Sequence, residues 1–140
     1  MKPCFRFSLI LIFFILAAMT TSLLYAQSSG LFPDVSFYPP RMNPGQTTNI
    51  TIFVRDSNNN PVPGVNVNIR APEQGYFLQT NNRFSVGITN QSGMYSTAWR
   101  ASPTPYRNSN ETFQITVSKS GYYPFSLNHP FIVDQAIYNW

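Results

Sequence analysis

The sequence predicts an all-β chain, folded as an antiparallel β-sandwich of about seven strands and preceded by an N-terminal hydrophobic signal segment. Three observations lead there. Short runs alternate apolar and polar residues and are rich in Val, Ile, Thr and aromatic side chains. Clusters of Gly, Pro, Asn and Ser separate these runs at intervals of roughly 8–12 residues, the spacing of sandwich turns. After the leader, no stretch has helical period and no segment repeats.

The leader comes first in the chain. Lys2 and Arg6 form a basic start, "LILIFFILAAM" (Leu9–Met19) is an apolar run, and "LLYA" ends in the small residue Ala26 before "QSSG". This grammar predicts a secretory signal peptide over 1–26, cleaved between Ala26 and Gln27. Its rival is an uncleaved anchor, because Leu9–Ala26 approaches the length of a bilayer span. A short linker (27–34), a sandwich (35–133) and a tail (134–140) are expected to follow. No later apolar run is long enough to span a bilayer and there is no Leu-Pro-x-Thr-Gly sorting signal, so no membrane attachment is expected after cleavage.

Within the sandwich, "DVSFYP" supplies the first strand. "TTNITIFVR" turns Thr48, Ile50, Ile52 and Val54 one way and Asn49, Thr51, Phe53 and Arg55 the other, the period of a half-buried strand. "GVNVNIR" repeats the pattern, with Val65, Val67 and Ile69 inward. "YFLQT" is a weaker candidate. "RFSVGIT" places Phe84, Val86 and Ile88 on one face. "MYSTAWRA" puts Trp99 in phase with Tyr95 and Thr97, which predicts a core anchor. "TFQITVS" contributes Phe113, Ile115 and Val117, and "YPFSL" and "FIV" read as two further short strands. "NPGQ", "DSNNNP", "APEQG", "TNQSG", "SPTPYRNSN" and "SKSG" supply the reversals. The twelve prolines are assigned to turns and strand edges, where a missing N–H does no harm.

Composition excludes several classes of function. The single cysteine, Cys4, lies inside the leader, so the exported part has no disulfide, zinc-thiolate site or cysteine nucleophile. Loss of Lys2 and Arg6 lowers the formal net charge of +4 by two. The remaining cations, Lys119 and six singly placed arginines, form no phosphate-binding stripe, so nucleic acid is not an expected partner. One histidine, His129, and five carboxylates cannot readily furnish a catalytic triad, and no nucleophile elbow or phosphate loop is present. His129 precedes Pro130 and is read as an exposed or edge residue in a loop. No catalytic residue, metal or cofactor is expected.

One stretch imitates a metal site. In "RDSNNNPVPGVNVNIR", Asp56, Asn58 and Asn60 have the 1, 3, 5 spacing that opens an EF-hand loop. The sixth position is Pro61 where Gly is needed, and the twelfth is Val67 where a bidentate Glu is needed. The stretch is therefore read as a turn in which Asx side chains bond their own backbone.

The segments "NPGQTTNITIFVRDSNNNPVPGVNVNI", "TNQSGMYSTAWRA" and "QITVSKSGY" resemble bacterial immunoglobulin-like (Big) domains of the invasin and intimin type. Asn60–Val65, "NPVPGV", is the most specific piece. The likeness runs from about Asn43 to Tyr122 and implies an immunoglobulin-like fold with a Thr-x-x-x-Gly hairpin at "TNQSG". It also implies a place in cell-surface structure, adhesion or protein binding. That family occurs in tandem arrays, whereas here one copy is followed by "YYPFSLNHPFIVDQAIYNW". Carboxypeptidase-regulatory and transthyretin-like sandwiches share "PVPGVNV" and compete as the assignment.

The aromatics supply the remaining expectation. Tyr38, Phe53, Tyr76, Phe77, Tyr106, Tyr122, Tyr123, Phe131, Tyr138 and Trp140 exceed what one core obviously needs, and most are expected to fill sandwich ends or cover an edge. Tyr122, Tyr123 and Trp140 are the candidate binding surface for a protein or glycan at the cell surface. A coplanar aromatic platform would favour the rival function, a small secreted carbohydrate-binding module. Retention of the leader would favour a membrane-anchored subunit of a surface filament. Asn49, Asn90 and Asn110 stand in Asn-x-Ser/Thr sequons and are candidate glycosylation sites in an organism that glycosylates exported proteins.

Overall fold

The computed structural model describes residues 29–103 and 110–134. The leader, Tyr106, Tyr138 and Trp140 lie outside the described residues. Eleven strands occur in chain order: β1 Ser29–Gly30, β2 Phe32–Tyr38, β3 Arg41–Met42, β4 Thr47–Arg55, β5 Asn66–Arg70, β6 Gly75–Phe77, β7 Phe84–Ile88, β8 Met94–Ala101, β9 Asn110–Ser118, β10 Tyr122–Tyr123 and β11 Phe125–Val133. The seven strands of five residues or more (β2, β4, β5, β7, β8, β9 and β11) build the sandwich, as the alternation predicted.

One sheet has four strands in the order β2-β4-β8-β6 and the other has five in the order β3-β11-β9-β5-β7. β1 and β10 form a small parallel pair of their own. The core lies between the sheets. Ile50, Ile52 and Val54 of β4 meet Val67 and Ile69 of β5 and Phe113, Ile115 and Val117 of β9, all essentially solvent-free. Trp99 is fully buried at the centre of an aromatic cluster. It meets Phe113 edge-on at 5.0 Å and Phe131 at 6.3 Å, while Phe37 lies 5.0 Å from Phe113 and 4.8 Å from Phe131. Edge-on rings place the positive rim of one against the negative face of the other, which adds to the area they bury. Phe77 and Phe131, counted from sequence among the surplus aromatics, are core residues.

Four expectations are corrected. The sandwich begins before Val35: Leu31 is buried, and β2 already pairs with β4 at Phe32↔Arg55, so residues 29–34 are not a linker. "YPFSL" and "FIV" are not two strands but parts of the continuous β11, which pairs with β9 from Phe125↔Val117 to Ile132↔Asn110. Pro130 interrupts nothing, because β3 reaches along β11 only at Ile132 and Val133 and no neighbour needs its N–H on that side. For the same reason His129 is in a strand, half-buried, with its ring 4.7 Å from Phe37.

"TNQSG" is not a hairpin. It carries the chain from β7 in the five-stranded sheet to β8 in the four-stranded sheet. The apolar row of β7 does share one face, as the sequence indicated, and that face is turned outward. Phe84, Val86 and Ile88 are 49%, 67% and 62% exposed, while Ser85 and Thr89 are buried. The cause lies opposite, on β8. The Tyr95 ring fills the space over Gly87, where a Cβ would stand 2.0 Å from Cε2. The Tyr95 hydroxyl bonds Ser85 Oγ at 2.7 Å, and Ser85 donates to Thr97 Oγ1 at 3.1 Å. Only small residues fit that inner face, so the bulky ones take the other.

Candidate functional site

Asp56 closes the turn between β4 and β5. Its Oδ1 accepts the backbone N–H of Asn58 at 2.9 Å and of Asn60 at 3.0 Å. The Asp56 N–H bonds Asn60 O, and the Asn59 N–H bonds Asp56 O, with Asn59 at φ 66. This is the Asx turn read from the sequence, with the Asp56 side chain bonded to its own backbone. The turn also carries the chain from one sheet to the other.

The edge of the five-stranded sheet is the first surface of note. β7 is its last strand. Thr89 N–H bonds Val65 O and Ala71 N–H bonds Arg83 O, so odd-numbered residues of this segment face β5. By the alternation of an antiparallel ladder, the N–H and C=O of Val86 and Ile88 point to the open edge. Those of Phe84 are taken up locally: its N–H donates to Asn82 Oδ1 at 2.7 Å, and its carbonyl accepts from Thr80 Oγ1 at 2.7 Å. Beside the row, Arg70 holds its guanidinium 5.9 Å from the Phe84 ring. Next to it this outer face carries amides and hydroxyls, including Asn66, Asn68, Gln114, Thr116 and Asn128, and at its far side on β11 Pro130 and the 42% exposed Ile132. The sequence held a signal for this arrangement: Ser85, Gly87 and Thr89 form a row of small residues, which suits a close approach rather than a core face.

A second feature lies at the opposite edge of the other sheet. A shallow groove of about 450 Å³ is lined by Phe32, Asp34, Arg55, Asp56, Ser57 and Asn59. Arg55 lies directly across the ladder from Phe32. Its guanidinium is 4.9 Å from the Phe53 ring, donates to Asn59 Oδ1 at 3.0 Å and reaches Asp34 Oδ2 at 3.4 Å. Phe53 was placed on the outward face by sequence, and there it supports Arg55.

The aromatic pair chosen from sequence does not share a face. Tyr122 and Tyr123 are adjacent in β10 and so project to opposite sides. Tyr122 packs half-buried against the core with Lys119 Nζ 5.8 Å from its ring, and Tyr123 is 63% exposed. Asn49 is exposed on β4 beside Tyr38. Asn90 is exposed, and its Oδ1 accepts from the N–H groups of Ser92 and Met94 at 2.9 and 3.1 Å. Asn110 begins β9.

Two carboxylates have altered acidity. The Arg41 guanidinium, hydrogen-bonded to Asp134, holds that carboxyl below the usual range. Partial burial between strand ends pushes Glu111 up. Glu111 lines a second groove of about 450 Å³ with Arg70, Glu73, Arg83, Gln114 and Asn128.

With this geometry established, comparison with known proteins bears on the fold. No protein-family model matches the sequence, and no curated protein matches it. Among solved structures, the chain is similar to the Yersinia pseudotuberculosis adhesin InvE, at 16% identity and a TM-score of 0.54, over 74% of this chain and 32% of that one. It is also similar to domains 4 and 5 of the S-layer protein SbsC, at 14% identity and a TM-score of 0.46, over 75% of this chain and 46% of that one. A third similar structure is a conjugative transposon lipoprotein from Bacteroides eggerthii, at 14% identity and a TM-score of 0.45, over 72% of this chain and 95% of that one. The chain thus spans about a third of the adhesin and under half of the S-layer fragment. The first likeness supports an all-β sandwich of the kind that the adhesin contains.

Proposed function

We propose that this chain is an exported, non-catalytic immunoglobulin-like module that works by contact with another protein at or outside the cell surface. One observation carries the reading: β7 presents Phe84, Val86 and Ile88 to solvent along a sheet edge whose main-chain groups at Val86 and Ile88 stay open. Edge strands are normally blunted by Lys, Pro or a bulge, and Phe84–Ile88 contains neither residue. Phe84, Val86 and Ile88 are 49%, 67% and 62% exposed side by side, and a contiguous exposed apolar patch on a monomer is often functional. A partner that adds a strand to β7 would gain main-chain hydrogen bonds from the edge and side-chain specificity from the row. The basic start and apolar run of the leader support export, to the periplasm, the surface or the medium. The likeness to an adhesin's sandwich supports the immunoglobulin-like assignment at the level of fold.

The test is site-specific photo-crosslinking in the producing cells, with the reactive residue at position 86 and, as a control, at position 49 on the other sheet. Protein adducts from position 86 and not from position 49 are expected. Adducts equal at both positions, or none from position 86, would overturn the reading.

A further inference from the structure

The groove beside Phe32 is separate from the β7 edge and has different chemistry. Phe32 is 53% exposed, yet its position is fixed. The tip of its ring rests on Gly30, where a Cβ would stand 3.3 Å from Cζ, and its backbone is held opposite Arg55 by the β2–β4 ladder. Ser29 Oγ and Ser57 Oγ lie 3.1 Å apart, tying the first strand to the turn that forms the groove wall. Arg55 is equally constrained, between the Phe53 ring, Asn59 and Asp34. Two of the five N–H donors of a guanidinium are used in those bonds, which leaves donors for a ligand. An open aromatic ring, a fixed fork of donors and a carboxylate acceptor therefore converge on one shallow space.

The charges in the groove narrow the ligand class. Asp34 is matched by Arg55, and Asp56 accepts backbone N–H groups. By formal charge the groove is one negative, Asp34 and Asp56 against Arg55, which disfavours anions, and a neutral polyol would find both donors and acceptors. A volume of about 450 Å³ lies within the range of small-ligand pockets.

We propose that this groove binds a neutral pyranose unit of a saccharide, with the sugar's C–H face on the Phe32 ring and its hydroxyls on Arg55 and Asp34. Binding involves no covalent step. It rests on Phe32 and Arg55, independently of any protein contact at β7.

The experiment titrates the isotope-labelled exported protein separately with cellobiose, maltose and N,N′-diacetylchitobiose while following backbone amide shifts. At least one disaccharide is expected to give saturable shifts in the millimolar range, confined to residues 30–34 and 55–59. Phe32→Ala should weaken that binding about tenfold, the size of a lost ring contact, and Phe32→Trp should restore it. Unchanged amide dispersion from β5 and β9 would show that each variant is folded. A second variant, Asn59→Gly, keeps the positive φ available while releasing Arg55, and should weaken binding several-fold. If none of the three disaccharides moves these amides, or if Phe32→Ala binds as well as the parent, the proposal is wrong.

Discussion

Replacing Trp99 by alanine removes the centre of the aromatic cluster. The side chain is fully buried and meets Phe113 edge-on at 5.0 Å and Phe131 at 6.3 Å, so the change loses both burial and two ring contacts. Truncating a buried tryptophan costs about 3–5 kcal/mol, a large share of the 5–15 kcal/mol that stabilises a typical domain. With a urea dependence of about 1–3 kcal/mol per molar, the midpoint should fall by roughly 1–5 M. Trp99→Phe is the informative companion. Among the described residues the indole Nε1 is buried without a hydrogen-bond partner, and leaving such a donor unpaired costs about 1–3 kcal/mol. Phenylalanine removes that donor while keeping a ring for Phe113, so its cost should be well under half that of alanine. Equilibrium urea unfolding followed by circular dichroism measures both. The reasoning fails if alanine moves the midpoint by less than 0.5 M, about half the smallest shift expected, or if phenylalanine proves as costly as alanine.

Three further outcomes follow from the same structure. Gly87→Ala should destabilise by about 1–3 kcal/mol, as overpacking does, because the new methyl displaces the Tyr95 ring and its bond to Ser85; an unchanged melting midpoint would contradict the inverted seating of β7. Asp56→Ala should cost about 1–2 kcal/mol for two lost side-chain-to-backbone bonds, and neither calcium nor a chelator should shift the melting midpoint of the parent; a rise of several degrees in calcium would refute the turn assignment. Glu111 is held above the usual carboxylate range by partial burial, so the folded state disfavours its charged form. That penalty is present at neutral pH and fades as pH falls through the folded value towards the unfolded one, near 4.3. Glu111→Gln should therefore raise the melting temperature at pH 7 and match the parent below about pH 4; no gain at pH 7 would show that Glu111 finds compensation in the folded state.

The alternation in "TTNITIFVR", "GVNVNIR", "MYSTAWRA" and "TFQITVS" determined by itself that these are strands and which face of each is buried, because a strand has only two faces and burial favours the apolar one. The Asp56 turn was legible too, since an Asx residue that bonds its own backbone needs nothing distant. Other decisions were not local. β7 has the same period of two, yet its apolar row lies outside, because Tyr95 and Thr97 of the facing sheet fill the inner space and bond the small Ser85 there. A turn such as "TNQSG" reverses the chain whether it joins neighbours in one sheet or crosses to the facing one, so its sequence was silent on which. The Phe32 groove required the β2–β4 register to bring Phe32 across from Arg55, and that register is settled only by which faces the packed sandwich buries.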